Sequence, residues 1–143
     1  MNIPKIPDNS LTHEITELVG LCEELCEEDT FMFFEPASEE ALAAWESENG
    51  IKLPESYKDW RGFSNGAVIC GTLAHFYSLD ALVKNDLSDG LVPDDLVIIG
   101  ALIGDGEYLC FSKSTGNIIW WDHGKTRAYS DFNAVLNKIM DIM

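Results

Sequence analysis

Cysteine is the residue type in this sequence that could bind a metal ion or act as a nucleophile. Cys22 and Cys26 are four residues apart, which places both thiols on one face of a helix and supplies half of a zinc site. A structural zinc site needs four ligands, and no second pair with suitable spacing occurs. Cys110 lies in an apolar stretch, where burial raises the pKa of a thiol and weakens its reactivity. We therefore expect no metal ligand, no catalytic cysteine and four free, mostly buried thiols.

Histidines and glycine-rich turns add little support for catalysis. The turn Gly104-Asp105-Gly106-Glu107 offers two carboxylates and could bind calcium weakly, but it lacks the regular series of ligands of a dedicated calcium loop. The three histidines share no local ligand spacing, and no glycine-rich phosphate loop occurs. Turn formation is the simpler interpretation of residues 104–107, and the sequence predicts neither an enzyme nor a cofactor.

The charge of the chain is strongly negative and concentrated near its start. The 143 residues contain 25 Asp and Glu against 9 Lys and Arg, a formal charge of −16. Residues 8–48 hold 13 of these acids and no base. Such a chain is repelled by nucleic-acid phosphates and by anionic membranes, so we expect neither as a partner. With no signal peptide and no apolar run long enough to span a bilayer, we expect a cytoplasmic protein.

Apolar periodicity predicts helices in the first part of the chain. In residues 11–28 apolar side chains recur every three or four positions, and glutamates occupy the opposite face. Ser38 is the predicted N-cap of a second helix that ends near Gly50, and a third, short helix begins at Leu53-Pro54. The acids at the end of the first helix oppose its dipole, which indicates either a solvated face or a surface kept acidic for a partner.

After the third helix the pattern changes to short strands and a last helix. Residues 96–99 have nearly no polar alternation, which favours a central strand covered on both faces. The last helix, with Ser130 as its predicted cap, carries an apolar stripe at helical spacing. We predict a single α+β domain over residues 1–143, with a mostly antiparallel sheet flanked by N-terminal helices and a C-terminal helix. The other predicted segments are extended chain at 31–34, strands at 67–70, 72–77, 108–112 and 118–122, a helical turn at 79–83 and a loop at 85–95.

The tryptophans provide both core residues and candidate binding residues. Trp45 and Trp60 occupy core-facing helical positions, whereas Trp120 and Trp121 are adjacent on a strand and point to opposite faces. One of this pair enters the core, and the other is either covered by a helix or left exposed as an anchor for a partner. A pocket near Trp60 or Trp121 would also suit a small ligand, which gives a minor hypothesis of a ligand sensor.

Several short segments of the sequence occur in an order and at spacings that are typical of one protein family. The stretch LPESYKDW at residues 53–60 is followed by SNGA at 64–67 and preceded by PASEEAL at 36–42. A later stretch, GDGEY at 104–108, leads through Gly116 to WDH at 121–123. Together these segments resemble the SUKH superfamily, which contains a yeast regulator of cell-wall assembly and many bacterial immunity proteins. The resemblance covers roughly residues 31–142.

The resemblance implies an α+β protein without catalytic residues. Bacterial members of the superfamily bind and neutralise secreted toxin domains, often nucleases, of polymorphic or contact-dependent systems. Their toxin contacts vary, so no contact residue carries over to this chain. Other members are regulatory or associated with the cell wall, and a regulatory or scaffold domain without a toxin partner is therefore the alternative function.

Charge and resemblance together predict a cytoplasmic immunity protein that binds a cognate basic toxin of nuclease type. A nuclease needs a basic surface to hold phosphates, and an acidic protein complements that surface. We expect the toxin-binding surface at the end of the first helix, the start of the second and the hairpin turns, with the residues Glu24, Glu27, Glu28, Asp29, Glu39, Glu40, Asp105, Glu107 and Asp122.

Overall fold

The computed structural model describes residues 3–82, 92–102 and 106–143. In these residues seven antiparallel strands form one sheet whose spatial order follows the chain, so each strand pairs with the next one along the sequence. This confirms the predicted α+β fold, with helices before and after the sheet. The strands are β1 Met32–Phe33, β2 Ala67–Ile69, β3 Ala74–Phe76, β4 Leu96–Leu102, β5 Glu107–Ser112, β6 Ile118–Asp122 and β7 Lys125–Tyr129; the helices are α1 Thr12–Leu25, α2 Glu39–Asn49, α3 Glu55–Arg61 and α4 Phe132–Asp141, with a 3₁₀ helix at Leu79–Ala81.

The helix ends follow local hydrogen bonding. The Ser38 hydroxyl accepts a hydrogen bond from the Ala41 N–H at 3.1 Å, and α2 ends at Gly50 in the left-handed conformation, both as predicted. The predicted cap of α4 is wrong by one residue, because the Asp131 carboxylate rather than Ser130 accepts from the Ala134 N–H. Among the described residues, no helix combines the length and the apolar character needed to cross a bilayer.

The strands agree with the sequence pattern except at one sheet edge. The predicted central strand at 96–99 is the fourth of the seven strands, and it continues to Leu102 past a register shift between Ile98 and Gly100. β7 is not predicted, because its residues are polar and nearly all exposed and so show no alternation. Most of the predicted loop at 85–95 and part of the turn at 104–107 lie outside the described residues.

The four helices contribute to a core that covers one face of the sheet. Apolar side chains from each helix and from all strands except β7 form one buried cluster. Trp60 of α3 is fully buried in it, with its ring centroid 5.1 to 5.6 Å from those of Phe63, Phe76 and Phe132. Aromatic contacts at these distances stabilise beyond simple area burial. The short helix α3 is therefore held mainly by its aromatic side chains.

The opposite face of the sheet carries a smaller cluster. Trp120 and Trp121 point to opposite faces as predicted, and they are 8% and 7% exposed. Trp121 packs with Val92, Ile98 and Cys110. Of the two predicted alternatives for the outward tryptophan, an exposed anchor is therefore excluded. Among the described residues, its cluster includes Val92, which precedes β4, and no residue of a helix.

A buried arginine connects α3 to the turn that precedes β2. Arg61 is 1% exposed, and its Nη1 donates to the Asn65 backbone oxygen at 2.5 Å and to Asn65 Oδ1 at 3.0 Å. Its Nη2 donates to the Tyr57 hydroxyl, and the guanidinium lies 4.9 Å from the Tyr57 ring centroid. The same Asn65 Oδ1 accepts from the Leu79 N–H at 3.1 Å. One side-chain amide thus joins α3, the turn and the 3₁₀ helix.

This turn also fixes the chain that follows β1. The Phe34 N–H donates to Gly66 O, and the Asn65 N–H donates to Glu35 O, at 2.9 and 3.0 Å. Gly66 is required by close approach, since an added Cβ would lie 2.7 Å from the Phe34 ring and 3.1 Å from Phe76 O. The position of β1 therefore depends on the turn that Arg61 stabilises.

Replacing Asn65 by alanine should lower the free energy of unfolding by about 2–3 kcal/mol, because it leaves a buried charged donor and the Leu79 N–H without their shared acceptor. The matched control is Asn49→Ala, which removes one hydrogen bond from an exposed side chain to Trp45 O and should cost about 1 kcal/mol or less. Urea unfolding curves measure both values. Equal losses for the two variants would contradict the central role of Asn65.

Candidate functional site

The acids predicted near the end of α1 lie in the segment between α1 and β1. Glu24 is on the last turn of α1, Glu27, Glu28 and Asp29 follow the helix, and all four are exposed. The Thr30 N–H and hydroxyl both donate to Glu27 O, at 2.9 and 2.7 Å. We call residues 27–29 the acidic loop. Its backbone is closed by these two hydrogen bonds, so its carboxylates project from a defined turn.

A disulfide ties the acidic loop to the turn between β2 and β3. Cys26 is bonded to Cys70, with their Cα atoms 5.1 Å apart, and the Gly71 N–H donates to Thr30 O at 2.7 Å. The prediction of four free thiols is therefore wrong for this pair. The two residues are 44 apart in sequence, and the fold alone brings them within bonding distance. Cys22 and Cys110 are free and buried, as predicted.

A groove runs between the N-terminal segment and β1. Its volume is about 1360 Å³, larger than the ~300–1,000 Å³ typical of small-molecule sites. Ile3 and Lys5 form one wall, and residues 32–36 form the other. Glu28 and Asp29 of the acidic loop also line it. We call this feature the β1 groove.

Exposed apolar side chains accompany these acids. Leu25, at the end of α1, is 56% exposed, and Met32 of β1 is 51% exposed. They lie on either side of the acidic loop in sequence, and Met32 lines the β1 groove. Large apolar groups within a charged rim are typical of protein interaction surfaces. The arrangement suits a partner with both basic and apolar side chains.

The acids at the start of α2 are exposed, and they also stabilise the N-terminal end of the helix. Glu39 and Glu40 occupy its first turn, where the helix dipole favours negative charge. Glu39 lines a separate concavity of about 480 Å³ that also contains Lys58. Lys58 lies 3.1 Å from Glu55 and 3.9 Å from Glu46, so part of the negative charge there is compensated.

The hairpin acids do not join the acidic loop. Glu107 was expected at an exposed turn, but it is 9% exposed in β5 and accepts a hydrogen bond from Trp120 Nε1 at 2.9 Å. Asp122, half exposed at the end of β6, lies 2.7 Å from His123 Nδ1. Five strand spacings, roughly 24 Å, separate β6 from β1 in the sheet order. Asp105 lies outside the described residues.

Basic side chains surround the hairpin acids. A concavity of about 250 Å³ brings Glu107 and Asp122 together with Lys125, Arg127 and Lys138. These three bases outnumber the two acids, so this side of the molecule is not a continuation of the acidic surface. The nine predicted site residues therefore fall into three separate places, apart from Asp105, which is not described.

The free thiols are poor nucleophiles in this structure. Burial raises the pKa of Cys110 to about 12, and burial with the nearby charge of Glu23 raises that of Cys22 to about 11. A thiol with such a pKa is protonated at neutral pH and hardly reactive. In the described part of the chain, no group of three or more His, Cys, Asp or Glu side chains could hold a metal ion.

The sequence did not identify the residues that shape the β1 groove. Glu35 and Lys5 line it, and neither was among the predicted contacts. Their approach depends on the turn at Asn65 and on the path of the N-terminal segment, which no local spacing encodes. The only sequence signal is the run of apolar residues 31–34 directly after the acidic loop.

Comparison with protein families places part of the chain in a known family. A model of the SMI1 / KNR4 family (SUKH-1) matches residues 36–138. No curated protein matches the chain. The matched region begins just after β1 and includes α2, α3 and the rest of the sheet. It excludes α1, the acidic loop and β1, which are therefore features that the family match does not explain.

Reduction of the Cys26–Cys70 disulfide should lower the free energy of unfolding by roughly 2–4 kcal/mol. The disulfide closes a long loop and so restricts the conformations of the unfolded chain, and reduction removes that restriction. Urea unfolding of the oxidised protein with and without reductant measures this difference. The double variant Cys26→Ser, Cys70→Ser is the control: it should match the reduced protein and respond to no reductant. Identical curves for oxidised and reduced protein would contradict the prediction.

Proposed function

The chain belongs to the SMI1 / KNR4 family (SUKH-1), and we propose that it is a non-catalytic immunity protein that binds and neutralises a cognate basic toxin domain. Membership is consistent with an immunity-type or an SMI1/KNR4-like function, and the family is generally non-catalytic. The observation that carries the choice of immunity is the exposed acidic loop, closed by the hydrogen bonds of Thr30 to Glu27 O and flanked in sequence by the exposed apolar side chains of Leu25 and Met32.

Charge supports a nuclease-type toxin as the partner. Residues 8–48 contain 13 acids and no base, and the whole chain carries −16. A nuclease needs a positive surface to hold phosphates, so it presents the complementary field. Complementary fields raise association rates toward about 10⁸ M⁻¹s⁻¹ at low salt. Fast capture suits an immunity protein, because the toxin must be bound before it damages the cell.

We place the centre of the toxin-binding surface at Glu24 and the acidic loop. Glu39 and Glu40 flank it in our proposal as a second, weaker contact, since Lys58 lies in the concavity beside them. Glu107 is left out because it is buried against Trp120. Asp122 is left out because bases surround it.

The proposed site of action is the cytoplasm, where such toxins act. A reducing cytoplasm favours thiols over disulfides, so Cys26 and Cys70 would be reduced there and oxidised after purification in air. The number of reactive thiols in denatured protein reports the state directly: two when the disulfide is present and four when it is reduced.

Gene neighbourhood and cell rescue test the proposal. An adjacent gene for a toxin domain supports immunity, and its product should co-purify with this chain and become harmless to cells that produce both. An unrelated housekeeping operon, or a captured neighbour whose toxicity persists, would overturn immunity in favour of a regulatory scaffold domain.

Charge reversal in the acidic segment should slow association with the basic toxin. The triple variant Glu24→Lys, Glu27→Lys, Glu28→Lys should reduce the association rate at low salt by about tenfold or more and flatten its salt dependence, because it removes the steering field. Stopped-flow mixing at several salt concentrations gives both values.

The control for this variant reverses three exposed acids elsewhere, Glu48→Lys, Asp94→Lys and Asp141→Lys. Both triples change the net charge from −16 to −10, so they differ only in where the charge is removed. The control should retain most of the association rate. Equal slowing by the two triples would show that net charge rather than the proposed surface steers the toxin.

A further inference from the structure

We propose that the edge of β1 that has no strand partner among the described residues accepts an extended, basic segment of the partner as an added strand of the sheet. The inference rests on the proposed function and specifies how the partner is held. Added strands gain main-chain hydrogen bonds at the edge and side-chain contacts at alternate positions.

Within residues 3–82, 92–102 and 106–143, the backbone of β1 pairs with another strand on one side only. β1 is the first strand in the sheet order and pairs with β2, through Met32 opposite Val68 and Phe33 opposite Ala67. Residues of an antiparallel strand alternate in the direction of their N–H and C=O groups. Because the Phe34 N–H donates across to Gly66 O, the N–H and C=O of Phe33 point away from β2. These groups form the free edge.

The N-terminal segment lies beside this edge without completing the sheet. Among the described residues, none of 3–7 makes a backbone hydrogen bond to β1. Pro4 and Pro7 lack an N–H, so this segment is a poor donor for a regular ladder. The result is the β1 groove, whose volume of about 1360 Å³ exceeds what a small molecule needs.

The ends of β1 are fixed before any partner arrives. On one side, the Gly71 N–H bonds to Thr30 O beside the Cys26–Cys70 disulfide. On the other side, Glu35 O accepts from the Asn65 N–H. A strand held at both ends loses little conformational freedom when another strand pairs with it, which favours binding.

The charges and the exposed apolar side chain of the β1 groove indicate which kind of segment would bind there. Glu28, Asp29 and Glu35 line the groove against one base, Lys5. Met32 adds an exposed apolar side chain at the same place. A segment that alternates basic and apolar residues complements both features. A second copy of this chain would instead bring two acidic loops together in molecules of charge −16.

A synthetic peptide tests strand addition without the toxin. The probe is acetyl-Lys-Val-Lys-Val-Lys-Val-Lys-amide, titrated into the oxidised protein and followed through the backbone amide signals. We expect saturable shifts at β1 and about tenfold slower hydrogen exchange of the Phe33 amide, while the Phe34 amide, already bonded to Gly66, changes little. The same peptide with alternate amides N-methylated keeps its charge but cannot pair as a strand, and it should bind at least about fivefold more weakly.

Two protein variants test whether the peptide binds at the β1 groove. Met32→Arg places a like charge beside the basic peptide and should weaken binding at least about fivefold, whereas Ile142→Arg, an exposed apolar residue outside the groove, should leave it within about twofold. Equal binding of the two peptides, equal effects of the two variants, shifts confined to other strands, or no shift at all would overturn strand addition. Concentration-dependent protection of Phe33 without peptide would overturn it in favour of pairing between copies.

The toxin assay separates this inference from the proposed function. If toxin is neutralised but both peptide tests fail, immunity stands and strand addition is wrong. If the peptide binds as expected but no toxin is neutralised, the edge takes a basic segment of another partner and immunity is wrong.

Discussion

Arg61 carries a positive charge into the interior of the protein, and in the described parts of the chain it forms no ion pair. Hydrogen bonds to Asn65 and Tyr57 stabilise that charge. A buried charge without such partners costs several kcal/mol, so the turn at Asn65 must keep its conformation whenever α3 is packed. Phe34 and Glu35 bond to the same turn, and the wall of the β1 groove is fixed with it. The surface that we propose for binding is thus attached to a buried, hydrogen-bonded part of the core.

Acidic and basic side chains lie near opposite edges of the sheet. Acidic side chains border the β1 edge, whereas Lys125 and Arg127 belong to β7 at the opposite edge, with Lys138 of α4 nearby. The family match covers β2 to β7 and the core residues between 36 and 138, but it begins after β1. The partner that we propose would therefore bind mainly outside the matched region, where a substitution can change specificity without disturbing the buried network.

Features set by local physics were predictable from the sequence. Ser38 and Gly50 mark the ends of α2 because capping depends on neighbouring residues alone. β7 was missed because an exposed edge strand needs no apolar alternation, and the Cys26–Cys70 bond was missed because it depends on the whole chain path. The acids after α1 were placed correctly on an exposed segment. The orientation of Glu107 was not, since composition cannot show that a carboxylate turns inward to Trp120.

The sheet order has a consequence for how the protein forms. Because each strand pairs with its successor, the pairings from β4 to β7 join neighbouring parts of the chain, and these strands can assemble hairpin by hairpin. Local pairings of this kind are associated with fast formation of a sheet. The β1–β2 pair joins more distant segments, since α2 and α3 lie between the two strands; the 3₁₀ helix lies in the shorter connection between β3 and β4. The edge that we propose for binding would then be the last pairing to close, completed only after α3 has packed.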